Sequence, residues 1–418
     1  MIHRITATYR EYNAKFWILT GATFIDGVGR TLVFPFFTLY VTQKFNVGMT
    51  EAGLVFAVFA VTGFAGNLLG GGLTDRFGRR FIILFGLVFS AASSIALGLV
   101  ESLAILFPLV MVVGLLSDLA GPARTAMVAD LLPEHQRAEG FGVLRVAGNL
   151  SWIVGPTIGG LIATQSYLYL FIGDAVASLI TAFIVFRLIP ETMPERAAGE
   201  PAEPIGKTFR GYGQVVTDRP YVAFLVMSIA MNLVYLQLYS TLSVYLRDVH
   251  GIAPRGYGAL MSINASLVVI AQFWVTRRTR GWPPMVAMAL GSALYMVGFT
   301  LYGVVGVYPL FIAAMLIVTV GEMLVIPVSQ ALVALFAPAD MRGRYMGVFA
   351  LSWGLPSAVG PWAAGLVLDN LDPDLIWYLC GLLSAVTVMG FLWLNQRVGR
   401  RLAKAGPTSA EPAPLPAG

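Results

Sequence analysis

Among the ionisable side chains that stand inside otherwise apolar stretches of this sequence are Asp26, Arg30, Asp118, Arg124, Arg145 and Glu322. Asp26 and Arg30 lie four apart, so on a helix they share one face. They form either a self-neutralised pair or a surface for a bound molecule. Asp118 and Arg124 are six apart and on one helix point in different directions, so they are not a simple pair. Glu322, in Val-Gly321-Glu322-Met-Leu-Val-Ile-Pro327, has no Lys or Arg within a dozen positions of its own run. Low dielectric disfavours the charged form of a lone carboxyl, which would then spend part of its time protonated near neutrality, as a proton carrier must. The alternatives are a Glu held neutral by hydrogen bonds, or one paired in space with Arg124 or Arg145. His3, His135 and His250 all fall in loops or at the ends of apolar runs, so carboxylates must do any proton work.

The surroundings of these groups decide how costly they are. Of 418 residues, 57% are hydrophobic and 12% charged, with 45 glycines and a mean hydropathy of +0.76. Soluble proteins carry about 25% charged residues. A bilayer core of about 30 Å needs roughly 20 apolar residues per helix. Runs of that length fall at 16–42, 52–73, 81–100, 104–129, 139–163, 168–189, 219–246, 256–276, 283–305, 308–335, 343–368 and 374–396. The fold class expected is an all-α membrane protein of twelve transmembrane helices. A charge at mid-bilayer costs about 2.5–3.5 kcal/mol even on lenient scales, so each of the six is a functional candidate by default. The single cysteine, Cys380, cannot form an internal disulfide. The polar N-terminus leads straight into a full-length span, with no cleavable signal visible.

The net charge of +5 is not a nucleic-acid footprint, because the basic residues sit in short loops. With the N-terminus inside, 21 Lys and Arg fall in inner segments and three (Lys44, Arg247, Arg255) in outer loops. That bias places both termini in the cytoplasm and the chain in the inner membrane. A fixed shift of 205 residues carries Pro122 onto Pro327, Pro133 onto Pro338 and Arg137 onto Arg342. It also carries Gly155-Pro156 onto Gly360-Pro361, Gly160 onto Gly365, Tyr40 onto Tyr245 and Gly53 onto Gly258. Two six-helix halves in the same orientation imply a pseudo-twofold axis along the membrane normal, with a site between them near the midplane. The expected organisation is a segment 1–15, a bundle 16–189, a cytoplasmic linker 190–218, a bundle 219–396 and a disordered tail 397–418.

The loop after the second span reads Gly71-Gly-Leu-Thr-Asp75-Arg76-Phe-Gly78-Arg79-Arg80. Read alone, it is either a positive-inside turn or a specific latch. It resembles motif A of the major facilitator superfamily, G-x-x-x-D-R/K-x-G-R/K-R/K, at every defined position. The resemblance implies an inner gate latch, with Asp130 as partner of Arg76 or Arg79. The second half has lost this motif. In the fifth span, Gly142, Gly155, Pro156, Gly159 and Gly160, with Ser151 replacing one glycine, look like motif C, associated with proton-driven exporters. Close helix packing explains such small residues under any function. The arginine of motif B is missing, Val110 standing in its place.

The tenth-span Glu and Pro resemble the twelve-helix drug:proton antiporter branch. By that family's fold, spans 1, 4, 7 and 10 line the cavity. The resemblance thus implies proton coupling by Glu322, Asp26 and Asp118, and a substrate cavity with Arg30, Arg124, Asn232, Tyr235 and Tyr239. The expected function is export of small amphiphilic molecules in exchange for protons by a monomeric chain in the lipid bilayer. A symporter or facilitator, with Arg30 or Arg124 holding an anionic group, is the first alternative, and a transport-dead receptor the second. No phosphate-binding loop or metal-ligand cluster appears, so no enzyme, no cofactor and no nucleic acid partner are expected, only small molecules and the proton gradient.

Overall fold

The computed structural model describes residues 12–117, 119–193, 213–338 and 341–405. Asp118, the middle of the expected linker and most of the expected tail lie outside the described residues. The regular elements are helical throughout. The first span is Ala14–Val33, continuing past a 3-10 turn at Phe34–Phe36 into Phe37–Phe45. Pro35, which has no amide hydrogen to donate, accounts for the interruption. The second is Met49–Phe77, the third Arg79–Leu99, the fourth Leu103–Ser117 with Ala120–Leu131, the fifth Glu134–Ala163 and the sixth Leu168–Leu188. The second half repeats the plan. Its spans are Arg219–Tyr235 extended by Gln237–Ser240 and Leu242–Asp248, then Pro254–Arg278, Pro284–Tyr302, Tyr308–Phe336, Arg342–Phe349 with Leu351–Asn370, and Leu375–Ala405.

Eleven of these helices are long and apolar enough to cross a membrane by composition. The remaining span, the eleventh in order, is broken at Ala350 and diluted by Ser352, Gly354, Pro356, Ser357, Gly360 and Pro361. It packs along the second span, with Gly53 against Pro361 and Trp362. Side chains such as Ile270, Phe273 and Phe183 are 78%, 69% and 64% exposed, an outer surface that only lipid covers well. The last helix runs past its expected end at 396 to Ala405, because Leu394 and Val398 keep a stripe buried against the bundle.

The repeat read from the sequence recurs in the contacts. The Tyr40 hydroxyl donates to the carbonyl of Leu97, and Tyr245, 205 residues on, donates to that of Tyr302 at 3.1 Å, again 205 on. Gly53 faces the backbone of Pro361 and Trp362, while Gly258 faces that of Pro156. Gly160 meets Pro254 and Arg255, and Gly365 meets Met49 and Thr50. Where the halves cross, equivalent residues touch each other: Thr38 and Ser243 hydroxyls are 3.1 Å apart, and Arg247 Nη1 donates to Thr42 at 3.0 Å. Residues 205 apart can meet only at the symmetry axis.

An even number of spans puts both ends of the bundle on one face. The bonds that join the halves gather toward the opposite, distal face. There Asp369, at the end of the eleventh span, accepts the amides of Met49 and Thr50 at 2.9 and 2.7 Å and the Thr50 hydroxyl at 2.6 Å. A carboxylate of one half thus caps the second-span N-terminus of the other, where the unpaired amides and helix dipole favour negative charge. Ser262 donates to the carbonyl of Ile153 at 3.1 Å lower down. Toward the terminal face, Gly142, Gly148, Gly343 and Gly354 have nothing within 4 Å of a notional Cβ. The described hydrogen bonds between the halves thus lie from the distal face down to Ser262.

Candidate functional site

A cavity of about 390 Å³ lies in the first half, walled by Phe34, Phe37, Phe56, Phe59 and Phe171 and floored by Asp26, Arg30, Arg124 and Asp174. The four-residue spacing of Asp26 and Arg30 does produce contact: Arg30 Nη2 reaches Asp26 Oδ2 at 2.9 Å. The closer partner of the same oxygen is Arg124 Nη1 at 2.6 Å, from the fourth span. Asp26 is 4% exposed, so this triad is held in the interior, whereas the Arg30 side chain is 65% exposed. Burial of a carboxylate demands such partners. Asp118 lies outside the described residues.

Asp174, from the sixth span, is a member of the floor that the sequence reading misses. It receives the Ser94 hydroxyl and is 9% exposed. A Cβ on Gly29 would meet Ala177 at 2.7 Å and Asp174 Oδ1 at 2.9 Å, so a glycine there lets the first span approach the sixth at this level. An acid in the sixth apolar run carries the same signal as Glu322 in the tenth.

In the second half, Glu322 accepts the Asn264 side-chain amide at 2.8 Å, and the same amide donates to Thr319 at 2.9 Å. The Tyr235 hydroxyl and, from the other half, the Arg145 guanidinium are its further polar neighbours, without an ion pair to Arg145 or Arg124. Gly321 and Gly291 face each other's carbonyls within 3.0 Å, which draws the ninth span against the tenth and leaves Glu322 to the other side. Tyr235 stacks on Tyr295 at 5.9 Å and bonds Tyr239 at 2.9 Å. Tyr239 packs on Trp152 at 5.0 Å and on Phe34 at 6.3 Å, both from the first half, and so joins the two clusters. Asn232 is a correction. It is 2% exposed and its Nδ2 donates to the Ser352 carbonyl at 2.7 Å, so it ties the seventh span to the eleventh, and it is not among the residues lining the first-half cavity.

The family model described as Major Facilitator Superfamily matches residues 19–361, with a further match over 287–417. The chain belongs to the Major Facilitator Superfamily. It is a multi-pass membrane transporter and not an enzyme. It is 29% identical over 361 residues to "Uncharacterized MFS-type transporter YttB" of Bacillus subtilis, covering 84% of this chain and 88% of the relative. It is 23% identical over 382 residues to a "Na(+), Li(+), K(+)/H(+) antiporter" of Planococcus maritimus, covering 84% and 89%. It is also 22% identical over 389 residues to "Multidrug resistance protein MdtH" of Salmonella paratyphi B, covering 91% and 94%. Among solved structures, the nucleoside transporter NupG superposes with a TM-score of 0.78 at 13% identity, covering 91% of this chain and 99% of that one. At that identity the likeness speaks for the superfamily fold alone.

Within this superfamily frame, the motif A segment makes one tight turn. Gly78, at φ +92, is the whole connection between the second and third spans, and a Cβ there would strike the Glu191 carboxylate. Of the expected partners, Arg79 takes Asp130, Nε to Oδ2 at 3.1 Å. Arg76 lies over the Phe77 ring at 5.4 Å, and Arg80 over Phe186 at 5.3 Å while donating to the Phe186 carbonyl. The side chain of Asp75 and the surroundings of Gly71 lie outside what the structure describes. Glu191, from the expected linker, is the residue sequence reasoning misses here. It accepts the backbone amides of Arg79 and Arg80, both at 3.0 Å, with those of Thr192 and Met193.

Partial burial disfavours the Glu191 carboxylate, but the four amides outweigh it and hold its pKa below the usual 4.5. The folded chain therefore prefers the ionised form. Its contribution is complete above about pH 4.5 and is lost as pH falls through Glu191's own, lower value. Glu191→Ala should accelerate amide hydrogen exchange at Arg79 and Arg80 at neutral pH severalfold. It should also abolish the extra acceleration that the parent shows on acidification. Equal exchange in parent and variant would remove Glu191 from the latch.

The motif C residues divide. Gly155 abuts Thr31, Gly159 meets Phe36 and the Leu32 carbonyl, and Gly160 meets the eighth span, with Pro156 against Gly258. Ser151 donates to the Phe24 carbonyl at 3.0 Å and its own carbonyl accepts Thr31 at 2.9 Å. Gly142 is a second correction: it is exposed with nothing within 4 Å, lying nine residues before Ser151, where the packed stretch begins.

Proposed function

We propose that this transporter exports small amphiphilic molecules, lipophilic cations among them, in exchange for protons by alternating access. Glu322 carries the proton in this reading. The supporting observation is that its direct partner is a neutral amide, Asn264, while the guanidiniums of Arg30 and Arg124 are taken up by Asp26. A carboxyl so placed can take up and release a proton without breaking an ion pair, whereas Asp26 is bonded to two arginines. The aromatic walls supply apolar contact for a lipophilic body, and the acids at both clusters attract a cation. The antiporter and multidrug names of two relatives agree with this class of reaction. The loop bias of 21 against three supports a terminal face in the cytoplasm, which makes the distal face, where the halves are bonded together, the release side for export.

The test uses purified protein in proteoliposomes and tetraphenylphosphonium as probe. A pH gradient should drive accumulation by the parent, and Glu322→Gln should lose it while keeping counterflow without a gradient. Gradient-driven accumulation by Glu322→Gln equal to the parent's would overturn the reading. A second reading, symport of an anionic metabolite, is favoured by the 65% exposed Arg30 at the cavity. It requires protons and solute to move in the same direction in that assay.

A further inference from the structure

We infer that Asp174 is a second proton-binding site, at the floor of the first-half cavity, distinct from Glu322. Three elements build it. The sixth span supplies the carboxyl, the third supplies Ser94 as hydroxyl donor, and the first closes over it at Gly29. Among the described residues, the charged groups that face it are Asp26 and Arg30 of the first span. Arg124 of the fourth reaches Asp26 and stops there. From the third span Asp174 meets only a hydroxyl, and its own helix adds no cation until Arg187. It is thus a buried acid whose direct partner is a neutral donor, as Glu322 is in the other half. It lines the cavity wall, so a proton has a path to it.

The charge count says what a proton there does. Arg30 and Arg124 are balanced by Asp26 and Asp174 when both acids are ionised. A proton on Asp174 removes one negative charge from this floor. A cation in the cavity and a proton on Asp174 then exclude each other, whereas an anion is drawn in. For its place in the cycle the inference rests on the exchange reading; for the protonation itself it does not.

Infrared difference spectra of the purified protein, titrated with pH, report the carbonyl band of protonated carboxyls shielded from water. The parent should show two such transitions. Asp174→Asn should delete one and leave the other, and Glu322→Gln should do the reverse. A parent-like spectrum from Asp174→Asn overturns the Asp174 site while leaving the Glu322 reading intact. A parent-like spectrum from Glu322→Gln, with the Asp174 transition present, does the opposite. Ser94→Ala keeps the carboxyl and removes its donor, so it should move the Asp174 transition without deleting it. If Asp174→Asn does not fold, an unmoved spectrum from Ser94→Ala overturns the site by itself.

Discussion

Asp26→Asn should destabilise the protein by about 3 kcal/mol, the low end of the range for stripping one partner from a buried ion pair. The cause is what it leaves behind. Arg124 is 30% exposed and donates to Asp26 at 2.6 Å, so the variant strands a guanidinium at the cavity floor with an amide in place of its anion. Arg30, 65% exposed, keeps water and loses little. Unfolding in mixed micelles measures the loss. Adding Arg124→Gln to Asp26→Asn should recover more than half of it, because the stranded charge is then gone. A double variant as unstable as the single would show that the Asp26–Arg124 pair is not the source.

Gly258→Leu and Gly53→Leu should each stop transport while leaving the protein folded. At both positions a side chain would run into backbone of the opposite half: the Pro156 carbonyl beside Gly258, and Pro361 with Trp362 beside Gly53. Backbone cannot move aside as a side-chain tip can. Overpacking of this kind costs about 1–3 kcal/mol or more, and here it falls only on the state in which the distal face is sealed. A two-state equilibrium shifts by roughly 5- to 150-fold for that energy. Spin labels on Asn46→Cys and Asp372→Cys read the distal separation, with native Cys380 buried and out of reach of the label. The distance distribution should move to longer values in either leucine variant. A parent-like distribution together with parent-like transport would mean that the seal does not depend on these glycines.

Much of the architecture could be read before any coordinates. Twelve apolar runs, a 205-residue repeat and the glycines at 53, 155, 160 and 258 all recur as helices and reciprocal contacts. The eleventh span shows where run length weakens as a guide, since its Gly, Ser and Pro residues are there for packing on the second span and lower its hydropathy. Arg79–Asp130 was anticipated as one of two pairings, from a resemblance and not from spacing.

The pairings that were not read from the sequence have one physical feature in common. Asn264 and Glu322 are 58 positions apart, Ser94 and Asp174 80, Asp26 and Arg124 98, and Glu191 and Arg80 111. Each pair joins different helices, and which faces meet depends on the rotation of each helix about its axis, a quantity that hydrophobic periodicity leaves loose when lipid and core are both apolar. Gly142 departs from its expected packing for the same reason: its span was right and its facing was not. By itself the sequence determined that twelve helices cross a membrane as two copies of six, because apolar length and the repeat are properties of the chain alone. Which acids are neutralised by arginine and which are left with neutral donors was decided only when helix faces met in three dimensions.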